Sequence, residues 1–303
     1  MNKLVSIGLP IIKFKFLKES IDSCLGQSYN NFELIVLNNA KEKETKIKVR
    51  EIINSFDDIR IKYYENEEQI PMIQNWNKCL SLSNGDYFSI LCDDDIWHEN
   101  FLLELIYLSN KYPEVNVFHC KVAVIDSNNN IKRISEEAPE HQSLLNFIYS
   151  RISGFNTFFL SDFLLKTKAL KELGGFIELP SGWGSDDITY YFLAKKTGVA
   201  FCNKLLFSYR DSPLSITNNN NLKDKLRAIN LQIKKINELL NSLSQDSTEE
   251  EVLFRMIKQS LPKFEITRKT NLIKSMLISK YNINKYLAFI IGYVLNKTKY
   301  ANI

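Results

Sequence analysis

Apolar positions along the first part of the chain switch between two spacings. Leu4-Val5-Ser6-Ile7-Gly8-Leu9 reads as a strand stopped by Pro10. Phe16-Leu17, Ile21 and Cys24-Leu25 then recur every three to four residues, the period of one helix face. Phe32 to Leu37 is almost continuously apolar, as a parallel strand covered on both faces would be, and it ends at Asn38-Asn39. Ile47, Ile52-Ile53 and Phe56 predict a second helix, Ile59 to Tyr64 alternates like a half-buried strand, and Met72-Ile73, Trp76 and Leu80 predict a third helix. The turn Asn84-Gly85-Asp86 leads into a fourth strand, Tyr87 to Cys92. Strand–helix alternation of this kind predicts right-handed crossovers and a mostly parallel α/β sheet.

Beyond that strand the pattern changes. Phe101 to Leu108 is helical, Val115 to Ile125 is one long β-like run, and Ser127 to Asn130 is a turn. A helix is expected over His141 to Arg151, a strand over Phe158 to Leu165, and a short helix over Lys166 to Leu173 that Gly174-Gly175 stops. After a loop from Phe176 to Ser185, Asp186-Asp187 opens a helix reaching about Lys196. Val199 to Phe201 and Leu205 to Tyr209 read as two short strands. From Leu222 onward only helical periodicity remains, interrupted near Gln245, Pro262 and Asn282. The run Asn218 to Asn221 divides a body, 1–218, from a helical region, 219–303.

Composition narrows the classes. Hydrophobic residues make up 45% and charged residues 24%, enough for a sizeable core in a globular protein. Five scattered cysteines, none in C-x-x-C spacing, exclude a disulfide framework or zinc site and fit a reducing cytosol. The start runs straight into a strand pattern with no signal peptide, and Tyr286 to Leu295 is too short to cross a bilayer, so a cytoplasmic location is expected. The net charge of +4 is uneven: from Asn221 onward 15 Lys+Arg face 7 Asp+Glu, whereas the remainder is acidic. A basic tail on an acidic body suggests an anionic partner for the tail. No nucleic-acid partner is expected. Neither glycine fingerprint of dinucleotide-binding or P-loop enzymes occurs. A nucleotidyltransferase would want a glycine-rich phosphate loop after the first strand, where Pro10-Ile11-Ile12-Lys13 has none.

The candidate chemistry is acidic. Asp93-Asp94-Asp95 directly follows an apolar strand, and in open α/β sheets the carboxyl edge of the strands is where ligands bind. Three adjacent carboxylates repel, and a divalent cation that also takes phosphate oxygens relieves them. The plainer reading, one Asp capping a helix near Trp97, accounts for one of the three. Asn38-Asn39 ends the neighbouring strand, so a nucleotide could lie across both clusters. Asp186-Asp187 could bring a base, or simply cap its helix.

Along the chain come Val5 to Pro10, Cys24-Leu25-Gly26-Gln27-Ser28-Tyr29, Phe32 to Val36, Asn75 to Leu80, Gly85-Asp86-Tyr87, Leu91 to Asp95, and Gly174-Gly175-Phe176 ahead of the late acidic pair. In this order and spacing the motifs resemble the inverting family 2 glycosyltransferases of the GT-A fold, as found in bacterial surface-polysaccharide synthesis. The resemblance covers roughly residues 3 to 215. It implies a Rossmann-like, mostly parallel mixed sheet flanked by helices with a helical C-terminal extension. It also implies a nucleotide-sugar donor, a saccharide or lipid-linked saccharide acceptor, and Mn²⁺ or Mg²⁺. By position, Asp94 would hold the metal, with Asp93 and Asp95 around metal and ribose. Pro10, Ile12, Asn38, Asn39 and Trp76 would line the nucleotide, and Asp187, or its neighbour Asp186, would be the base. Inversion needs such a base, because the acceptor hydroxyl attacks opposite the leaving diphosphate and must lose its proton.

The chain departs from the family pattern at three places. Ile12 stands where Tyr is common, Asn38-Asn39 where an Asp accepts from the base, and Trp76 where Arg is frequent. Those departures leave the donor open and support an alternative, a catalytically degenerate GT-A module that binds nucleotide or glycan. Trp76 suits either base stacking or the core; Trp183, in a glycine-flanked loop, suits either acceptor contact or local packing. His98 could approach the metal or face solvent, His119 is expected in the core, and Arg210 could meet phosphate or be solvated. Leu222, Leu226, Ile229, Ile233, Ile236 and Leu240 form one apolar stripe. Lys285 to Lys297 suits a helix lying at the inner face of the cell membrane as a peripheral contact, or one docked on the body.

Overall fold

The computed structural model describes residues 3–212, 221–244, 247–281, 287 and 290–294. Among them are ten strands: β1 (Val5–Ile11), β2 (Phe32–Asn38), β3 (Ile61–Glu65), β4 (Tyr87–Ile90), β5 (Ile96–Trp97), β6 (Val117–Ile125), β7 (Ile131–Ile134), β8 (His141–Gln142), β9 (Phe163–Lys166) and β10 (Val199–Arg210). The helices are α1 (Leu17–Leu25), α2 (Lys43–Ile53), α3 (Met72–Ser81), α4 (Phe101–Lys111), α5 (Leu144–Ile152), α6 (Thr167–Glu172), α7 (Ser185–Leu193), α8 (Leu222–Asn241) and α9 (Thr248–Tyr281). The chain divides into two compact units. One comprises Met1–Leu144, Asn156–Phe176 and Leu193–Ser215; the other comprises Leu145–Phe155, Ile177–Phe192 and Ile216–Ile303. The division is discontinuous: two segments from the middle of the chain, carrying most of α5 and α7, group with the C-terminal helices.

All the strands belong to the first unit, in the order β3-β2-β1-β4-β9-β6-β10-β5, with β7 on β6 and β8 on β10. β3, β2, β1 and β4 run parallel, as the alternation of apolar runs predicts. β9 lies antiparallel between β4 and β6, which makes the sheet mixed. β1 and β2 are buried almost throughout because helices cover both faces of a parallel sheet.

Several boundaries differ from the sequence pattern for physical reasons. β1 continues through Pro10 to Ile11. Gly8 accepts from Leu91 N–H, so Pro10, two residues on, turns the same side to a place where β4 has already ended and no ladder donor is needed. The two short strands after Val199 are one, β10, whose pairing with β6 shifts register between Cys202 and Leu205. Ile96-Trp97 pairs with β10, and the following helix begins at Phe101. α9 runs through Pro262. The stretch Lys285 to Lys297 falls largely outside the described residues.

Close contacts explain the small residues of the motifs. A Cβ on Gly8 would stand 2.9 Å from Cys79 Cβ, so this glycine lets α3 settle onto β1. Gly175 has φ +93°, and a Cβ there would meet Asn77 Oδ1 at 2.4 Å. Asn77 is held there because Oδ1 accepts from Phe176 N–H (2.7 Å) and Nδ2 donates to Phe176 O (3.1 Å). Gly-Gly-Phe is therefore the mate of Asn-Trp-Asn on α3.

At the other end of the strands Glu33 ties three segments. It is 5% exposed, and its carboxylate accepts from Ser6 Oγ (2.5 Å), Lys62 Nζ (2.5 Å) and Asn84 N–H (2.8 Å), while Gly85 N–H donates to Ser6 Oγ (2.7 Å). Burial alone would raise the Glu33 pKa, but Lys62, Ser6 and Asn84 together hold it below the usual value. A depressed carboxylate stabilises the fold above its unfolded pKa, and that contribution is lost as pH falls through the folded one. Glu33→Ala should cost about 1–3 kcal/mol, because it leaves the buried Ser6 hydroxyl and the Asn84 N–H without their acceptor. Urea titrations should also show Glu33→Gln losing less stability than the wild type between about pH 5 and 3.

Candidate active site

In the first unit the loop after β4 carries Asp93, Asp94 and Asp95, and the three carboxylates have different surroundings. Asp93 is 4% exposed, and its Oδ2 accepts from the backbone N–H of both Ile12 and Lys13 at 2.8 Å, fixing the chain just past β1. Asp95 is 2% exposed, with Oδ1 accepting from Arg210 N–H (3.0 Å) and Oδ2 from Ser161 Oγ (2.9 Å). Asp94 meets no backbone N–H among the described residues. Its Oδ2 lies 2.8 Å from the Lys13 ammonium, which is also 3.7 Å from Asp93 Oδ1. Burial raises the pKa of Asp93, and the Lys13 charge opposes that rise. Burial, then the charge of Asp94, raises that of Asp95. The geometry thus leaves one carboxylate, Asp94, facing outward from two that hold the loop.

Arg210, at the end of β10, is fully buried rather than solvated or set toward a phosphate. Its Nε donates to Asp94 O (2.8 Å), Nη1 to Asn129 Oδ1 (2.5 Å) and Nη2 to Glu19 Oε2 (2.9 Å), and the guanidinium stacks 4.1 Å from the centroid of the Phe16 ring. Ser20 Oγ adds a bond to Asp95 O (2.8 Å). The acidic loop is therefore held by α1, β10 and the β6–β7 turn together.

The ends of β2 and β3 are polar but closed. Asn38 is fully buried; Nδ2 donates to Tyr63 Oη (3.0 Å) and Glu65 Oε2 (3.2 Å), and Oδ1 accepts from Ala40 N–H (3.2 Å). Asn39 Oδ1 accepts from Asn66 Nδ2 and Ile70 N–H, and its Nδ2 donates to Ile70 O. The Asn38 amide ties β2 to the end of β3, and the Asn39 amide braces the segment around residues 66–70. Trp76 is buried, its ring T-shaped against Phe176 with centroids 5.5 Å apart. Pro10 and Ile12 are partly exposed beside the acidic loop. His98 is exposed, and His119 is buried, stacked 4.8 Å from Phe163.

The second unit carries the other acidic pair at the start of α7. Asp187 is 1% exposed. Arg151 of α5 donates to its Oδ1 (3.1 Å), Gln232 of α8 to its Oδ2 (3.0 Å), and Arg268 of α9 lies 3.5 Å from Oδ2. Arg268 also donates to Gln232 Oε1 (2.8 Å). Gly184 (φ +78°) makes room, since a Cβ there would stand 2.8 Å from Gln232 Nε2. Asp186 is partly exposed, and burial followed by the charge of Asp187 raises its pKa. Trp183 lies under two cations, Lys225 Nζ at 4.8 Å and Arg268 at 5.7 Å from its ring centroid.

Reading the sequence missed Lys13, Ser161, Gln232 and Arg268. Lys13 had a signal, a cation immediately past a strand that borders the aspartates. The other three had none, since only tertiary packing brings them near an acidic group.

The model of the family "Glycosyl transferase family 2" matches residues 12–173. An uncharacterized glycosyltransferase of Rickettsia typhi is 26% identical over 272 residues, 87% of this chain and 78% of that protein. The Escherichia coli UDP-Glc:alpha-D-GlcNAc-diphosphoundecaprenol beta-1,3-glucosyltransferase WfgD is 36% identical over 100 residues, 33% of this chain and 38% of that one. Among solved structures, Staphylococcus aureus TarS 1-349 in complex with UDP-GlcNAc aligns with a TM-score of 0.63 at 12% identity, covering 95% of this chain and 89% of that one. The mannosyltransferase PcManGT of Pyrobaculum calidifontis, in complex with GDP-Man and Mn²⁺, aligns at 0.58 and 15% identity, covering 99% and 82%. The fold is that of these GT-A structures, a mixed α/β sheet with a helical C-terminal region.

Arg210→Met should destabilise the chain by about 1–3 kcal/mol, measured by urea unfolding, because it takes the donor from the Asp94 carbonyl and from Asn129 Oδ1, while the exposed Glu19 loses little. Ser161→Ala, which takes a donor from Asp95 and an acceptor from Cys92 N–H, should cost about 1–3 kcal/mol in the same experiment.

Proposed function

The chain belongs to glycosyl transferase family 2, and from that premise we propose that it transfers a sugar, with inversion, from a nucleoside diphosphate donor to a saccharide or lipid-linked saccharide in surface-polysaccharide synthesis. That it is a glycosyltransferase using a nucleotide-sugar donor follows from the family. The observation that carries the finer reading is Asp94, a carboxylate left without backbone donors between two that fix the loop. The acceptor class rests on the tail and on the diphosphoundecaprenol substrate in the WfgD name. The same tail supports peripheral contact with the inner face of the membrane; no helix among the described residues is long and apolar enough to cross one.

A divalent metal fits this loop in one way. Among the described residues no group of three or more His, Cys, Asp or Glu side chains forms a cage. Hard oxygen donors are present, however, and a cation such as Mg²⁺ needs only one or two carboxylates when substrate phosphates complete its shell. Asp94 would hold it, with Asp93 and Asp95 keeping the loop in place. When bound, the metal neutralises charge growing on the departing nucleoside diphosphate. PcManGT, whose complex contains Mn²⁺, supports the choice of ion.

The chain's own part in the transfer is proton removal. A bond forms between the acceptor oxygen and the anomeric carbon, the bond from that carbon to the diphosphate breaks with its electron pair leaving on phosphate oxygen, and the acceptor's proton goes to a carboxylate. We assign that carboxylate to Asp187, which Arg151, Gln232 and Arg268 orient, with Asp186 as the alternative. Trp183 is assigned to the acceptor.

A thermal-shift panel of UDP, GDP, CDP and TDP, each with and without Mn²⁺, should give a metal-dependent rise in Tm for one nucleotide. Asp94→Asn should abolish that rise; a rise that persists would remove the metal assignment. Asp187→Asn should lower kcat by about 100-fold or more while nucleotide binding stays near wild type. Normal turnover by that variant, with loss in Asp186→Asn instead, would move the base by one residue.

A further inference from the structure

Lys13 takes no part in the proton transfer, yet its ammonium is 2.8 Å from Asp94 Oδ2. Its backbone is fixed, because both its own N–H and that of Ile12 donate to Asp93. Its ammonium spans from there to Asp94 Oδ2 at 2.8 Å and stays within 3.7 Å of Asp93 Oδ1. The side chain is 21% exposed and that of Asp94 13%, so the pair sits at the rim of the loop rather than in the core. Asp93 and Asp95 are committed to hydrogen bonds, and this ammonium forms an ion pair with Asp94.

We propose that Lys13 is a diphosphate-binding residue that shares Asp94 with the metal. The inference rests on the reading of Asp94 as the metal ligand. The ammonium pairs with Asp94 Oδ2 only, so a divalent cation held by this carboxylate would lie close to it and the two positive charges would repel. That repulsion would weaken metal binding and loosen the ammonium from Asp94. The backbone of Lys13 is pinned to Asp93, so a loosened ammonium would remain within the reach of one side chain. A diphosphate bound at the same loop would offer it a second anion. Lysine suits this double duty: it is a point charge on a flexible stem with three donors and no fixed fork geometry. Without donor, Lys13 would oppose metal binding; with donor, its ammonium would add to the charge that holds the diphosphate. The loop would then bind metal weakly until a nucleoside diphosphate is present.

The test uses the full chain and two binding measurements that need no turnover. Mn²⁺ affinity without nucleotide is read from the electron paramagnetic resonance signal of unbound Mn²⁺. Lys13→Met, which keeps the stem and removes the charge, should bind Mn²⁺ about tenfold more tightly than wild type. Calorimetry in Mn²⁺ then gives affinities for UDP against UMP and GDP against GMP. Lys13→Met should reduce the preference for diphosphate over monophosphate about tenfold, and Lys13→Arg should retain most of it. The preference is a ratio within one variant, so a general loss of folded protein does not alter it. Unchanged or weaker Mn²⁺ binding by Lys13→Met, or an unchanged preference, would overturn the proposal. If Asp94→Asn abolishes Mn²⁺ binding while Lys13→Met changes nothing, the role of Lys13 falls and that of Asp94 stands. If Asp94→Asn leaves Mn²⁺ binding intact, both fall.

Discussion

Keeping three consecutive carboxylates at the end of a buried strand is the constraint around which the first unit is arranged. Aspartates placed side by side in a low-dielectric setting repel one another and resist ionisation. The chain answers with a different partner for each. Two backbone N–H groups past β1 take Asp93, a backbone N–H and a serine hydroxyl take Asp95, and an ammonium takes Asp94. Directional neutral donors serve the inner two, and a movable charge serves the outer one. That division keeps the backbone fixed while leaving a single carboxylate whose partner can be exchanged.

Arg210 extends the same solution outward. A fully buried guanidinium is costly unless its donors are satisfied. Here they are spread over the Asp94 carbonyl, Asn129 and Glu19. The last residue of β10 thus ties the acidic loop to the start of the chain and to a turn more than a hundred residues after it. In the second unit Arg151, Gln232 and Arg268 do for Asp187 what Arg210 does for the loop, drawing on three helices. Both candidate groups are held by residues remote in sequence.

The parallel half of the sheet was legible because its signals are local. Apolar runs such as Phe32 to Leu37, turn residues such as Asn84-Gly85 and helical spacing such as Met72 to Leu80 need no knowledge of the rest of the chain. The acidic clusters were legible for the same reason, since their order along the chain is itself the pattern. Boundaries set by pairing were not. The passage of β1 through Pro10 depends on where β4 ends, and the unity of β10 depends on how β6 accommodates its irregular register. The polar surroundings of Asn38 and Asn39 were equally hidden. Strand-end amides look available in a sequence, but here Glu65, Asn66 and Ile70 occupy them. A sequence names the residue types at a site, whereas its supporting contacts come from packing.

The contact between Gly8 and Cys79 reaches beyond α3. With 2.9 Å between a would-be Cβ and an existing one, the two positions hold a single methylene between them. A side chain at position 8 would also press on the Phe88 ring, 3.1 Å from the same would-be Cβ. Adding one carbon to β1 would therefore disturb α3 and β4 together, so the spacing of three elements is set by an atom that is not there.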